Sequence, residues 1–104
     1  MSDPVRDPLR ETGGGADEPR ETRLKRLRMR SIRRGIKEMD LILGAFAAEE
    51  LAKLPTAGLD LYDALLTEND HDLYGWVSGQ TPTPPEYLDL VSLIAAHQSN
   101  IARN

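Results

Sequence analysis

From Arg23 onward, apolar residues recur every three to five positions, which is the spacing of one face of an α-helix. The stretch 39–51 is the clearest case, with apolar positions at Met39, Ile42, Leu43, Phe46 and Leu51. No stretch of the chain alternates apolar and polar residues as a half-buried strand does. The pattern therefore predicts an all-α fold.

The interruptions of this periodicity predict five helices. Pro55 ends the second helix, because its ring and missing N–H forbid continuation. Asn69 or Asp70 caps the fourth helix, and Gly79 stands where a glycine commonly follows a helix end. Pro85 suits the first turn of the fifth helix. The apolar face of the last three helices consists of Leu59, Tyr62, Leu65, Leu66, Leu73, Trp76, Val77, Leu88, Val91, Ile94, Ala95 and Ile101.

A break at Gly35 is predicted to separate the first two helices. One continuous helix over residues 23–52 would be about 45 Å long, which is too long for so small a domain. We expect Gly35 to take the left-handed conformation that glycine adopts at low cost.

The charges on either side of this break agree with it. Arg30, Arg33 and Arg34 are predicted to lie in the last turn of the first helix, near its negative dipole end. Glu38 and Asp40 are predicted to lie in the first turn of the next helix, near its positive end. The stretch RRGIKE at 33–38 should therefore form a corner between two helices.

A chain of 104 residues holds one domain at most. Residues 1–22 contain three prolines, the triplet Gly13–Gly15 and no aromatic residue, so they lack the apolar area that would offset the entropy of ordering. The sequence predicts a disordered acidic tail over residues 1–22 and a five-helix domain over residues 23–104.

Charge is distributed unevenly around the net value of −4. Residues 23–37 carry eight arginines and lysines and no acid, whereas residues 38–104 carry eleven acids and two basic residues. A partner surface of mixed sign follows from this distribution. Nucleic-acid binding is the rival interpretation of the basic run, but no aromatic residue is interleaved for base stacking and the acidic remainder would repel phosphates.

The composition argues against several classes of protein. The chain has no cysteine, so neither a disulfide framework nor a thiol nucleophile is available. No apolar run approaches the roughly 20 residues that span a bilayer, and the apolar face of residues 24–32 is too narrow for a membrane-surface helix. The acidic N-terminal stretch does not resemble a targeting peptide, so we expect a cytoplasmic protein without membrane insertion.

The titratable residues do not suggest an enzyme. His71 and His97 are too few and too isolated to predict a metal site. No nucleophile, base and orienting group stand together in the pattern that catalysis needs. We expect no catalytic residue and no metal.

Two interpretations of RRGIKE stay open on physical grounds. Arg34 and Glu38 can form an exposed ion pair four residues apart, worth roughly 0.2–0.5 kcal/mol. Alternatively the arginine, a glycine that permits close backbone approach and the carboxylate form a docking site for another protein.

The same stretch resembles the RGxxE signature of the succinate dehydrogenase flavinylation factors (SdhE type), with Arg34, Gly35 and Glu38 at its three defining positions. Further along, LLTENDHDLYGWVSG is similar to a second segment of that family, in which an acid, a leucine and an aromatic residue precede a tryptophan. The resemblance covers roughly residues 23–98. The tail 1–22 lies outside it and is given no family role.

The resemblance implies a five-helix assembly factor that is not itself an enzyme. Such a factor binds the flavoprotein subunit of succinate dehydrogenase, or of fumarate reductase in some bacteria, and promotes covalent attachment of FAD. It implies that Arg34, Gly35 and Glu38 contact the partner, and we expect their neighbours Arg33 and Asp40 to belong to the same partner-binding site. The FAD would belong to the partner, with none bound stably by this chain, which we expect to be a monomer when free. A nucleic-acid-binding module or a general protein-interaction module is the alternative function.

Overall fold

The structure, a computed structural model, describes residues 18–103, with side chains described up to Asn100. Five α-helices form the described part of the chain, and it contains no strand. They are α1 (Arg20–Ser31), α2 (Lys37–Glu49), α3 (Thr56–Leu65), α4 (Asp70–Ser78) and α5 (Leu88–Arg103). Short 3-10 turns at Leu51–Lys53 and Pro85–Tyr87 precede α3 and α5. The predicted all-α fold is confirmed.

The helices enclose one apolar core. Helix α2 contacts α1, α4 and α5, while α5 also contacts α3 and α4. Phe46 stacks on Tyr62 at the centre, with ring centroids 5.9 Å apart. Buried apolar residues come from all five helices and both 3-10 turns: Leu24, Leu27, Met39, Leu43, Phe46, Ala47, Leu51, Leu59, Tyr62, Leu65, Leu66, Leu73, Tyr87, Leu90, Val91 and Ile94.

Most of the predicted core positions are buried, but α5 presents a different set. Leu88 was expected inside and is 51% exposed, whereas Leu90 is buried. The helix begins only at Leu88, after the 3-10 turn, so the buried face is set by Leu90, Val91 and Ile94. The predicted core position Ile101 lies outside the residues whose side chains are described.

Local signals placed several helix ends correctly. Asn69 is the N-cap of α4, and its side chain accepts hydrogen bonds from the backbone N–H groups of His71 and Asp72. Gly79 follows α4 with φ 83°, the left-handed conformation that favours glycine. Pro55 stands directly before α3, and Pro85 opens the 3-10 turn that leads into α5.

The first helix begins earlier and ends earlier than the sequence predicts. Helix α1 starts at Arg20, so residues 20–22 are helical and do not belong to a tail. It ends at Ser31, and Arg33 and Arg34 consequently lie in the connection between α1 and α2 and not in the last turn of a helix. Glu18 and Pro19 lie directly before α1, with Glu18 Oε2 3.0 Å from Arg26 Nε, and residues 1–17 of the predicted disordered tail lie outside the described residues.

Gly35 does lie between two helices, but not with the conformation that was expected. Among the described residues only Gly79 has a positive φ, so the prediction of a left-handed Gly35 is wrong. The last turn of α1 is closed instead by Ile32, whose N–H donates to the carbonyl of Met29. No helix in the described part of the chain is both long enough and apolar enough to cross a bilayer.

Candidate functional site

The corner between α1 and α2 is a five-residue connection, residues 32–36, fixed by backbone hydrogen bonds. Arg33 donates its N–H to the carbonyl of Arg30 at 3.4 Å. The N–H of Arg34 donates to Asp40 Oδ1 at 2.6 Å, so a carboxylate in the first turn of α2 holds the incoming chain. Asp40 therefore shapes the corner from within, and its predicted position in the first turn is confirmed.

The side chain of Arg34 points into the protein and is only 11% exposed. Its Nε lies 2.6 Å from Asp70 Oδ1 at the start of α4. Its two terminal nitrogens donate to the carbonyls of Leu66 and Glu68, at 2.7 and 2.8 Å, just beyond the end of α3. The guanidinium thus closes the exposed carbonyl end of one helix and binds the N-terminal turn of the next.

This arrangement excludes one of the two interpretations of the Arg34 side chain. The predicted ion pair between Arg34 and Glu38 does not form, because Asp70 is the carboxylate that Arg34 binds. Three of the five N–H groups of the guanidinium donate inside the chain, and contact of the Arg34 side chain with a partner stays a prediction. The Arg34 side chain attaches the corner to the end of α3 and the start of α4.

Gly35 lies against the same carboxylate. Its N–H donates to Asp70 Oδ2 at 2.5 Å, and a Cβ at this position would lie 3.3 Å from that oxygen. The glycine therefore permits close approach of a carboxylate rather than a left-handed turn. Asp70, which the sequence suggested as a helix cap, instead bridges Arg34 and Gly35, while Asn69 does the capping.

The outer side of the corner is formed by the remaining predicted residues. Arg33, Gly35 and Glu38 are exposed, as is Lys37 between them. Glu38 lies in the first turn of α2, where the helix dipole favours a negative charge. The corner thus exposes the guanidinium of Arg33, the backbone of Gly35 and the carboxylate of Glu38. Hydrogen bonds of Arg34, Asp40 and Asp70 fix the backbone of this corner.

A buried carboxylate on α3, that of Asp63, forms ion pairs with three arginines of α1. Asp63 is 9% exposed and binds Arg30 at 2.5 Å, Arg26 at 3.1 Å and Arg23 at 3.5 Å. Burial raises the pKa of Asp63, but hydrogen bonds from Arg30 and Arg26 outweigh it and hold that pKa below its usual value. Three of the eight cations are therefore structural, which weakens the nucleic-acid interpretation.

Sequence reasoning missed both Asp63 and the bridging role of Asp70. A signal for Asp63 exists, because Arg23, Arg26 and Arg30 recur at i, i+3 and i+7 and so share one helix face. That face needs an acid opposite it, but the sequence does not say which one. Asp70 lies 36 positions from Arg34 and carries no signal of this kind.

One group of described side chains has the composition of a metal site. Ligand atoms of Glu49, Glu50 and His97 all lie within 4.8 Å of one another. His97 is 9% exposed, and its Nε2 lies 2.8 Å from Glu49 Oε1, so the pair ties α5 to the end of α2. The ring of His97 also packs edge-on against Phe46. An open pocket of about 340 Å³ lies beside the group and has Glu50 and His97 in its lining.

Comparisons with known proteins agree with the motif. A family model described as the flavinator of succinate dehydrogenase matches residues 25–98. Succinate dehydrogenase assembly factor 2-A, mitochondrial, of Drosophila mojavensis is 41% identical over 90 residues, covering 84% of this chain and 57% of that protein. Succinate dehydrogenase assembly factor 2, mitochondrial, of Drosophila virilis is 39% identical over 104 residues, covering 97% of this chain and 66% of that protein. The chain therefore spans about three-fifths of the length of these relatives.

The names of these relatives correct one expectation. Cytoplasmic residence was inferred from an acidic N-terminal stretch that does not resemble a targeting peptide. The relatives are named mitochondrial, which points to the mitochondrion and contradicts that inference. The inference failed because the charge of a short stretch does not by itself determine a compartment.

Proposed function

This chain belongs to the family of succinate dehydrogenase flavinators, and we propose that it acts as an assembly factor for the flavoprotein subunit of succinate dehydrogenase. The family match over residues 25–98 is the observation that carries the proposal. It includes the corner 32–36, whose outer residues are exposed while its inner residues are fixed. In this role the chain binds the flavoprotein and promotes covalent attachment of FAD.

The chemistry of attachment belongs to the partner in this proposal. The corner supplies a carboxylate at Glu38, a guanidinium at Arg33 and an accessible backbone at Gly35. These groups recognise a surface by hydrogen bonds and charge. A factor that binds one arrangement of its partner more tightly than another raises the population of that arrangement. We infer that the flavoprotein is held in this way in the arrangement that reacts with its flavin.

Rigidity of the corner supports this mechanism. The connection 32–36 is tied to α2 by Asp40 and to α4 by Asp70, so little conformational freedom remains to be lost on binding. Preorganisation of this kind increases affinity by lowering the entropic cost of association. Loss of the support should therefore weaken binding even where the exposed residues are unchanged.

Three finer points belong to the same proposal. The flavoprotein of fumarate reductase is a second partner, reached by the same corner. FAD is not bound stably by this chain, and the all-helical fold of residues 18–103 supports this, since it offers no glycine loop between a strand and a helix. The chain is a monomer when free, which leaves the corner accessible.

The experiment is reconstitution of the purified flavoprotein subunit with FAD, followed by flavin fluorescence in a denaturing gel. Wild-type protein should raise the yield of covalent flavin. Glu38→Ala should lower the rate about tenfold, the effect of about 1.4 kcal/mol of lost binding. Glu86→Ala, at an exposed glutamate near α5, is the matched control and should act as wild type.

Two results would count against the proposal. Covalent flavin at the same rate with and without the protein would remove the assembly role. Unfolding of Glu38→Ala, seen by circular dichroism, would make Glu38 a structural residue instead of a contact.

A further inference from the structure

The exposed faces of α1 and α2 meet in a shallow groove beside the corner. Arg28 Nε donates to the carbonyl of Ala47 at 3.2 Å, and a Cβ on Gly44 would lie 2.9 Å from Ile32 Cγ2. These contacts place Arg28 opposite Ala47 and Ile32 opposite Gly44, as expected for two antiparallel helices. Gly44 lets the two helices approach closely here.

Apolar side chains that a soluble protein normally buries line this groove. Met29 is 46% exposed and Ile32 is 55% exposed on the α1 side. Leu41 is 64% exposed on the α2 side, three residues before Gly44 and therefore on the same helix face. Single exposed apolar residues are ordinary, but here Ile32 lies against Gly44, Met29 stands three residues before Ile32, and Leu41 stands three residues before Gly44, so the helix spacing places all three beside the groove.

Cations surround this patch. Lys25, Arg33 and Lys37 are exposed and Arg28 is half-buried. None of the four forms an ion pair with a carboxylate within residues 18–100, in contrast to Arg23, Arg26, Arg30 and Arg34. The basic run is thus divided between four cations that are paired with carboxylates and four that border the groove, of which Arg28 also bonds the carbonyl of Ala47.

We propose that this α1–α2 groove, with its floor at Met29, Ile32, Leu41 and Gly44 and its rim at Lys25, Arg28, Arg33 and Lys37, binds an acidic, partly apolar segment of the partner flavoprotein. The inference rests on the proposed function and extends it to a second contact surface. Charge complementarity identifies the occupant, because four cations around an apolar strip fit carboxylates around an apolar side chain.

The charge of the rest of the molecule favours the same occupant. Residues 38–104 carry eleven acids against two basic residues, so most of the surface repels an acidic partner. The groove is the cationic face that remains, and such a field orients an approaching partner before contact. Lys37 and Leu41 flank Glu38 along α2, so a segment in the groove would lie directly beside the corner. The groove supplies affinity and orientation, and the corner supplies the specific contact.

The test measures binding of the purified flavoprotein subunit to three variants. Ile32→Ser with Leu41→Ser removes the apolar floor, and Lys25→Glu with Lys37→Glu reverses half of the rim without touching the corner residues Arg33, Gly35 and Glu38. Leu88→Ser with Leu93→Ser is the matched control, because these α5 residues are 51% and 52% exposed. Each groove variant should weaken binding about tenfold or more, as expected for central interface residues. The control should change binding less than about twofold, and the affinity of wild type should fall as salt rises.

The possible outcomes separate this inference from the proposed function. Wild-type affinity in both groove variants, together with loss in Glu38→Ala, would overturn the groove and leave the assembly role intact. Failure of wild-type protein to bind the flavoprotein would overturn both. Self-association of wild type that the groove variants abolish would make a second copy the occupant and so contradict the proposal. Circular dichroism checks that each variant is folded.

Discussion

Arg34 and Asp70 lie 36 positions apart in the chain, yet Arg34 Nε stands 2.6 Å from Asp70 Oδ1. Both side chains are mostly buried, at 11% and 15% exposure. The other carboxylate oxygen of Asp70 accepts from the N–H of Gly35. One carboxylate therefore fixes an arginine and the adjacent backbone, and this contact sets the position of the α1–α2 corner against α3 and α4.

Arg34→Lys should lower the free energy of unfolding by about 2–3 kcal/mol, the scale of lost hydrogen bonds to charged groups. Lysine keeps the charge, but its single ammonium cannot reach the carboxylate and two carbonyls that the planar guanidinium serves. Urea unfolding followed by circular dichroism measures the loss. Arg33→Lys, at the exposed neighbour, is the control and should stay within about 0.5 kcal/mol of wild type. Equal stability of the two variants would contradict a structural role for Arg34.

Asp63→Asn should lower stability at neutral pH by about 2–3 kcal/mol, because three arginines lose their shared carboxylate. Asp63 has a pKa held below its ordinary 3.8, so its contribution is present above pH 3.8 and lost as the pH falls through the lower folded-state value. The difference between variant and wild type should therefore shrink on acidification. Urea unfolding at neutral pH and at about pH 3 measures this.

Asp60→Asn provides the control for that measurement. Asp60 also pairs with Arg23, at 2.7 Å, but its side chain is 64% exposed. Solvent-exposed pairs contribute about 0–1 kcal/mol, so this variant should differ little from wild type at either pH. A loss as large as that of Asp63→Asn would show that burial does not distinguish the two carboxylates.

Residues whose environment is local were predictable from the sequence. Asn69 and Gly79 act within a few positions of where they stand, through a side-chain cap and a left-handed backbone. The five helices followed from apolar spacing for the same reason. The family motif marks Arg34, Gly35 and Glu38, of which Gly35 and Glu38 are exposed at the corner and Arg34 is mostly buried.

The contact between Arg34 and Asp70, which fixes the corner, could not be predicted from a local signal or from a motif. Arg34 and Asp70 meet only after α3 and α4 have packed, and many other acids were equally available in the sequence. Gly35 illustrates the same limit, since a glycine between helices suggests a left-handed turn until Asp70 is seen beside its backbone. The groove is likewise tertiary, because Ile32 and Gly44 become neighbours only when α1 and α2 pack.

Tyr62→Phe should reduce the loss of stability that wild type shows at alkaline pH, while the part that comes from Tyr87, whose pKa is also raised by burial, remains. Burial raises the pKa of the Tyr62 hydroxyl to about 12 from its ordinary 10.0. The unfolded chain ionises near 10, whereas the folded chain keeps the proton, so wild-type stability falls as pH rises between these values. Below pH 10 the variant should be about 1 kcal/mol less stable, because Ser31 loses its 2.5 Å hydrogen bond with the Tyr62 hydroxyl.

Thermal unfolding across this alkaline range measures the effect, and Tyr74→Phe, at a half-buried tyrosine, is the control. The control should keep the wild-type slope of stability against pH. The same slope in Tyr62→Phe as in wild type would assign the alkaline loss to other groups.

Gly75→Ala should destabilise the protein by about 1 kcal/mol even though alanine is the better helix former. Gly75 is buried in α4, and a Cβ there would lie 2.6 Å from Thr81 Oγ1. Thr81 cannot withdraw freely, because its N–H donates to the carbonyl of Gly75 at 3.1 Å. In a Thr81→Ala background the clash is gone and the same substitution should stabilise by up to about 1 kcal/mol. A double-mutant cycle of urea unfolding tests this change of sign, and equal effects in the two backgrounds would show that Thr81 does not limit the residue at 75.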